Sequence, residues 1–120
     1  MAVNAARSIT INLTGDVILD KIYSAVQNAI SPGSVTVHTL SSGNNQINLP
    51  TITGQLVTAA TILPPSGNLQ ALILKGTTAG DAGLPISKTE PTSVAFDTTP
   101  PAHIHINAAG TVNGLRIVWT

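Results

Sequence analysis

The stretch of sequence that decides the fold is residues 69–91, LQALILKGTTAGDAGLPISKTEP. It opens with the most apolar run of the chain, residues 69–74, which turn signals bound on both sides. Such a run predicts a β-strand covered on both faces. A glycine-containing loop follows, and then residues 84–87. Because Pro85 cannot donate a ladder hydrogen bond, we expect an edge strand there.

Similar short segments extend in both directions from this stretch. The predicted strands are residues 8–13, 34–40, 46–49, 56–63, 69–74, 84–87, 92–96, 102–107 and 115–119. About eight or nine strands, with turn signals roughly every ten residues, are typical of an antiparallel β-sandwich or barrel. We therefore expect an all-β chain, a jelly-roll-like antiparallel β-sandwich that forms one domain over residues 1–120.

Residues 16–30 allow two interpretations. Ile18, Ile22 and Val26 follow helical spacing, and Asp16 is a suitable N-cap, which predicts a short helix. The same residues also suit strands, and every neighbouring segment is extended. Tertiary context often overrides local propensity, so both interpretations remain open.

Charged residues are sparse. They make up 8% of the chain and give a formal net charge of zero, against about 25% in a typical soluble domain. Nucleic-acid binding is not expected, because it requires lysine and arginine to displace phosphate counterions. So weakly charged a surface lacks the usual protection against self-association, so we expect a homo-oligomer or larger assembly.

Other classes of site are excluded by composition. The chain has no cysteine, so it can form neither a disulfide framework nor a thiolate metal site. No apolar run approaches transmembrane length, and residues 1–7 lack the apolar core of a signal peptide. We expect no membrane partner and no targeting segment.

The pair His103 and His105 is the best metal candidate. Residues two apart on a strand point to the same face, so both imidazoles would share one surface. Two ligands do not make a site, since zinc usually takes four, or three and a water. His38 would have to join them through the fold, or symmetry would have to bring several pairs together. The alternative is a polar strand face that happens to carry two histidines.

No constellation of residues indicates catalysis or a cofactor. The loop around Gly76 and Gly83 is not a phosphate-binding loop, because Lys75 precedes the glycines and no helix pattern follows. It is better explained as a glycine-permitted connection in which Asp81 accepts hydrogen bonds from Lys75 or from backbone amides. No nucleophile elbow is present. We therefore expect a non-enzymatic protein without a cofactor.

Aromatic residues are also few. A carbohydrate-binding module would need an aromatic platform, and the chain offers only Trp119, Tyr23 and Phe96. Trp119 lies on an apolar strand, so we expect it to pack in the core or in an interface.

A series of motifs in residues 40–119 carries a family resemblance. In order they are LSSGNNQI, ILPPSGN, LILKG, GDAGLPI, EPT and GLRIVW. The series resembles a group of small structural proteins of tailed bacteriophages. The first third of the chain is not covered by the resemblance. In that group Thr often precedes the second loop glycine, whereas Ala82 precedes Gly83 here, so this chain has no side-chain hydroxyl at that position.

The resemblance implies a β-sandwich virion component without catalytic residues. Its most specific implication is a capsid decoration (cement) protein on the capsid surface, a homotrimer that bridges subunits of the major capsid protein and stabilises the phage head. A tail, neck or head-fibre component, or a carbohydrate-binding receptor module, is the alternative.

Overall fold

The computed structural model describes residues 5–9, 26–30, 34–51 and 56–120. Within these ranges every regular element is a strand, and none is a helix of the length and apolarity needed to cross a bilayer. The strands are β1 (Ala5–Ile9), β2 (Val26–Ile30), β3 (Ser34–Leu40), β4 (Gly43–Asn48), β5 (Ala59–Leu63), β6 (Leu72–Lys75), β7 (Leu84–Ile86), β8 (Thr92–Ala95), β9 (His103–Ala108) and β10 (Val112–Trp119).

Strands β3 to β10 form two antiparallel sheets that pack face to face. The first, the β3 sheet, has the order β3-β10-β5-β8, and the second, the β4 sheet, has the order β4-β9-β6-β7. This is the strand order of a jelly roll, in which the chain alternates between two four-stranded sheets. The predicted all-β sandwich is therefore confirmed.

The β1–β2 pair forms a separate two-stranded antiparallel sheet, with Ala5 opposite Ile30. Residues 26–30 are thus extended, and the helical interpretation is wrong for this part of residues 16–30. Pairing with β1 gives these backbone groups partners that a helix would otherwise have supplied. The rest of that segment, residues 16–25, lies outside the described residues, as do residues 10–13 of the first predicted strand.

The core lies between the two sheets and is almost wholly aliphatic. Strand β10 supplies several of its side chains, and a bulge between Asn113 and Leu115 sets their direction. Gly114 has a φ of 80° there, which a glycine adopts without strain. The bulge brings both Val112 and Leu115 to the inner face. The buried cluster comprises Leu40, Ile47, Val57, Ala60, Ile62, Leu72, Ile104, Ile106, Ala108, Val112, Leu115, Ile117 and Trp119.

The first part of the apolar run at residues 69–74 is not in a strand. Strand β6 begins only at Leu72, which is buried, whereas Leu69 is 80% exposed. The prediction of a strand covered on both faces is therefore wrong for residues 69–71. The cause is Asn68, whose side-chain amide bonds both the N–H and the C=O of Gln70. A side chain thus takes the backbone groups that a ladder would need.

Strand β4 begins earlier than predicted. We expected this strand to begin at residue 46, but the ladder to β9 already starts at Gly43, opposite Ala108. The side chain of Asn45 bonds both the N–H and the C=O of Ser41, so the corner needs only residues 41–42. Because that corner is short, β3 and β4 lie along one side of the sandwich, and β7 and β8 lie along the other. Strand β7 is an edge strand, as Pro85 predicted.

Candidate functional site

The two histidines of β9 lie together on the outer face of the β4 sheet. The ring centroids of His103 and His105 are 5.3 Å apart and the rings are nearly perpendicular, at 89°. The Nε2 atom of His103 lies 3.0 Å from the carbonyl oxygen of Thr77, and Nδ1 of the buried His105 has no hydrogen-bond partner. In the described ranges no third His, Cys, Asp or Glu completes a metal-binding group with them.

Residues 76–83 fold back over this outer face. The carbonyl oxygen of Ala79 accepts hydrogen bonds from Asn44 Nδ2 at 3.0 Å and from Lys75 Nζ at 3.1 Å. The N–H of His105 donates to Gly76 O, which continues the ladder into the loop. The loop therefore covers His105, leaving it 7% exposed. This explains why a histidine on the outer face of a sheet is buried.

The loop itself is held by Asp81 and Gly83. The Asp81 carboxylate accepts a hydrogen bond from the backbone N–H of Thr78, as predicted, whereas Lys75 bonds Ala79 instead. The loop thus contains both the carboxylate and the backbone N–H of this hydrogen bond, and needs no bound anion to satisfy that N–H. Gly83 has a φ of +76°, and a Cβ there would lie 2.8 Å from the carbonyl oxygen of Leu74. The glycine-permitted connection is confirmed.

His38 does not join the other two histidines, because it lies on the inner face of β3 in the other sheet. It ends a chain of hydrogen bonds. Trp119 Nε1 donates to Thr36 Oγ1 at 2.8 Å, and Thr36 Oγ1 lies 2.7 Å from His38 Nε2. Burial lowers the pKa of the His38 imidazole below its ordinary value of 6.5. The Thr36 hydroxyl can donate to the Nε2 atom of a neutral His38.

Strand β3 faces the opposite way from what its hydrophobic alternation indicates. Its valines point outward, with Val35 46% and Val37 64% exposed, while its polar side chains Thr36 and His38 point inward. The ladder to β10 fixes this direction, because it sets inward-facing Trp119 opposite Ser34. A conflict between local pattern and global fold of this kind is expected at functional surfaces.

An apolar surface results on the outside of the β3 sheet. Val35 lies opposite Val118 on β10, and Val37 lies opposite Arg116, which in turn lies opposite Leu63 on β5. We call the set Val35, Val37, Leu63 and Val118 the β3 surface. Arg116 is exposed and lies between Val37 and Leu63. It is the one charged residue among the described strand residues paired with this surface.

A second apolar surface lies at the other side of the sandwich, in the other sheet. It is a groove of about 600 Å³ against β6 and β7. Its one charged lining residue is Lys88. We call it the β6–β7 groove, and its lining is Ala71, Leu72, Ile73, Pro85, Ile86, Ser87, Lys88 and Thr89.

The two aromatic residues that the structure describes, Trp119 and Phe96, do not form an exposed platform. Trp119 is 0% exposed, as predicted for a core position, and Phe96 packs partly buried against the core. Tyr23 lies outside the described residues. Trp119 therefore cannot contact a sugar ring from solvent.

Comparison of the chain with protein-family models, with curated proteins and with solved structures found no match.

The β3 surface was not predicted from sequence. Its signal is nonetheless present, since residues 34–40 combine outward valines with a complete lack of charge and proline. Reading that signal requires knowing which set of alternating residues faces the core. In β3 the residue that indicates the core-facing set is Leu40. Because side chains alternate along a strand, Leu40 lies on the same face as Thr36 and His38, and the valines lie on the other face.

Proposed function

We propose that the chain is a non-enzymatic structural protein of a virion, a capsid decoration (cement) protein at the surface of a phage head. In this role it binds the major capsid protein, associates with copies of itself and bridges neighbouring capsid subunits. The observation that carries the proposal is the presence of two apolar surfaces, the β3 surface and the β6–β7 groove, on different sheets and at opposite sides of one small sandwich.

A bridging protein needs separate contact surfaces, and these two are suited to protein contact. Interface cores are depleted of charge and rich in apolar groups. The β6–β7 groove has one charged residue along its lining, and the β3 surface has one charged neighbour. Each contact is modest in extent, but repetition over a closed shell would multiply its stabilising effect against pressure from packaged DNA.

The sequence resemblance and the fold support the same role. The resemblance covers residues 40–119. This range includes strands β4 to β10 in full, and of β3 only Leu40. Jelly rolls form viral capsid domains, although they also form lectins and cupins, so the fold alone is only an analogy. The lectin alternative has less support, because Trp119 is buried.

The first test is a quantitative protein census of purified particles of a virus that carries this gene. A copy number comparable to that of the major capsid protein is expected. A handful of copies would instead indicate a tail, neck or head-fibre component. Absence from the particle would overturn the virion role.

A second test locates the contact with the shell. The purified chain should co-sediment with expanded empty shells, and Pro85→Glu should weaken this binding because it places a carboxylate in the apolar groove. Ala95→Glu is the matched control, since Ala95 is also exposed on an edge strand but does not line the groove. Equal binding by the two variants would contradict a role for the groove.

A further inference from the structure

Among the strands that the structure describes, β3 has a partner on one edge only. Strand β3 is seven residues long and hydrogen-bonds to β10 on one side only. Its other side presents backbone N–H and C=O groups that have no ladder partner among the described strands. Natural edge strands are usually protected by charge, proline, a bulge or shortness. Residues 34–40, SVTVHTL, contain no charge or proline and are longer than a typical protected edge.

We propose that this edge is a self-association site, at which β3 pairs antiparallel with β3 of a second copy about a twofold axis through Val37. The two β3 sheets would then form one continuous sheet. The inference rests on the geometry of β3 and does not depend on binding to a shell. It also differs from the threefold assembly that the sequence resemblance implies, because a twofold contact produces dimers.

The strand is self-complementary about Val37. Antiparallel pairing centred there engages all seven residues and keeps the outer face of each copy on the same side. On that face Val37 lies against Val37 of the second copy, and Val35 lies against Thr39. On the inner face Thr36 lies against His38. No pair brings like charges together, and β-branched pairs of this kind are favourable across antiparallel strands.

Strand β4, the other edge on this side, is a poorer candidate. It also lacks charge and proline, but its outward side chains are Asn44, Gln46 and Asn48, which are exposed and polar. Gln46 and Asn48 already bond each other at 3.1 Å. Outward valines on β3 gain from burial, whereas outward amides on β4 would have to exchange water for imperfect partners. We therefore assign the contact to β3.

A cysteine scan tests the register directly, because the chain has no cysteine of its own. Side chains directly opposite each other across antiparallel strands have Cβ atoms about 4.5–5.5 Å apart, within reach of a disulfide or a very short thiol crosslinker. Val37→Cys should crosslink to dimers under native conditions. Thr39→Cys alone should not crosslink. In this register Thr39 lies opposite Val35 of the second copy, so the two introduced cysteines would be four residues apart along the strands. A mixture of Val35→Cys and Thr39→Cys should crosslink as a heterodimer.

Sedimentation equilibrium provides the second measurement. The unmodified chain should associate as a dimer, and Val37→Lys should weaken association at least about tenfold, because two ammonium groups would meet across the axis. Ser93→Lys, on exposed β8 at the opposite side, is the matched control and should leave association unchanged. Circular dichroism and thermal unfolding would show that each variant folds.

Several outcomes would overturn the inference. These are a chain that stays monomeric, a trimer that Val37→Lys does not weaken, and crosslinking by Thr39→Cys that equals that of Val37→Cys. None of them bears on the census of purified particles, so a failure here is distinguishable from a failure of the virion role.

Discussion

The edge strands on the two sides of the sandwich differ in length, in proline content and in the charge that flanks them. On one side β3 and β4 have seven and six residues and contain no proline or charge. On the other side β7 and β8 have three and four residues, Pro85 stands within β7, and Lys88 and Glu90 lie in the connection between them. Shortness, proline and flanking charge discourage pairing of backbone groups. Among the described strands, therefore, the β3–β4 side keeps the features that permit strand addition, whereas the β7–β8 side has features that discourage it.

The largest expected difference between the sides concerns their anchoring in the core. Leu40 on β3 is 1% exposed, whereas Val94 on β8 is only half-buried. Leu40→Ala should reduce the free energy of unfolding by about 2–5 kcal/mol, since it leaves a cavity. Val94→Ala should reduce it by about 1 kcal/mol. Urea denaturation at matched low protein concentration measures both, and equal losses would contradict the stronger anchoring of β3.

A hydroxyl contributes more on the β3–β4 side than on the other. Thr36→Val should cost about 1–3 kcal/mol, because it leaves Nε1 of the buried Trp119 without an acceptor. Thr36→Ser keeps the hydroxyl and should restore most of the loss. Ser93→Ala removes an exposed hydroxyl pair with Thr61 and should change stability very little. Denaturation of the three variants decides the point, and a Thr36→Val variant as stable as Thr36→Ser would refute the role of the hydrogen bond.

Removing the proline of β7 should make the two sides more alike. Pro85→Val gives β7 a continuous apolar edge that can pair with another chain, so we expect a new, concentration-dependent rise in light scattering. Pro85→Glu also removes the proline but adds a charge, and it should scatter as the unmodified chain does. If both variants remained as soluble as the unmodified chain, the proline would not be what protects this edge.

The smallest expected effect is a pH dependence of the folding stability that arises from His38 on β3. The pKa of His38 is lower in the folded chain than its ordinary value of 6.5, because burial disfavours the charged imidazole. Between the two pKa values the unfolded chain binds more protons, so stability is fully present above about pH 6.5 and falls as the pH drops toward the folded pKa. His38→Gln should flatten this slope in thermal unfolding between pH 7.5 and 5.5. A slope unchanged by the substitution would assign the pH dependence to other groups.

Alternation and turn residues were sufficient to predict the sandwich and the edge position of β7. They did not predict where β4 and β6 begin, because the side chains of Asn45 and Asn68 take over backbone hydrogen bonds near those points. Such capture depends on a rotamer that the sequence does not display. The shared face of His103 and His105 followed from strand geometry. Burial of His105 did not, since it depends on a loop that folds back over the sheet.

The apolar surface on β3 could not be predicted for a different reason. Val35 and Val37 follow the alternation of a buried strand face, and a reader of the sequence would place them in the core. The ladder to β10 overrules that pattern, and the alternating set that contains Leu40 faces inward instead. Only the pairing of two strands far apart in sequence carries this information.

The hydrogen bond between Trp119 and Thr36 also means that tryptophan fluorescence can report on the position of β3. Trp119 is the single tryptophan of the chain, so its tryptophan fluorescence originates from one indole, located where β10 meets the edge strand β3. If β3 peeled away while the rest of the sandwich stayed folded, that indole would meet water and its emission would shift to longer wavelength. Comparing the fluorescence transition with that of far-ultraviolet circular dichroism would therefore show, without any label, whether the edge strand opens before the sandwich does.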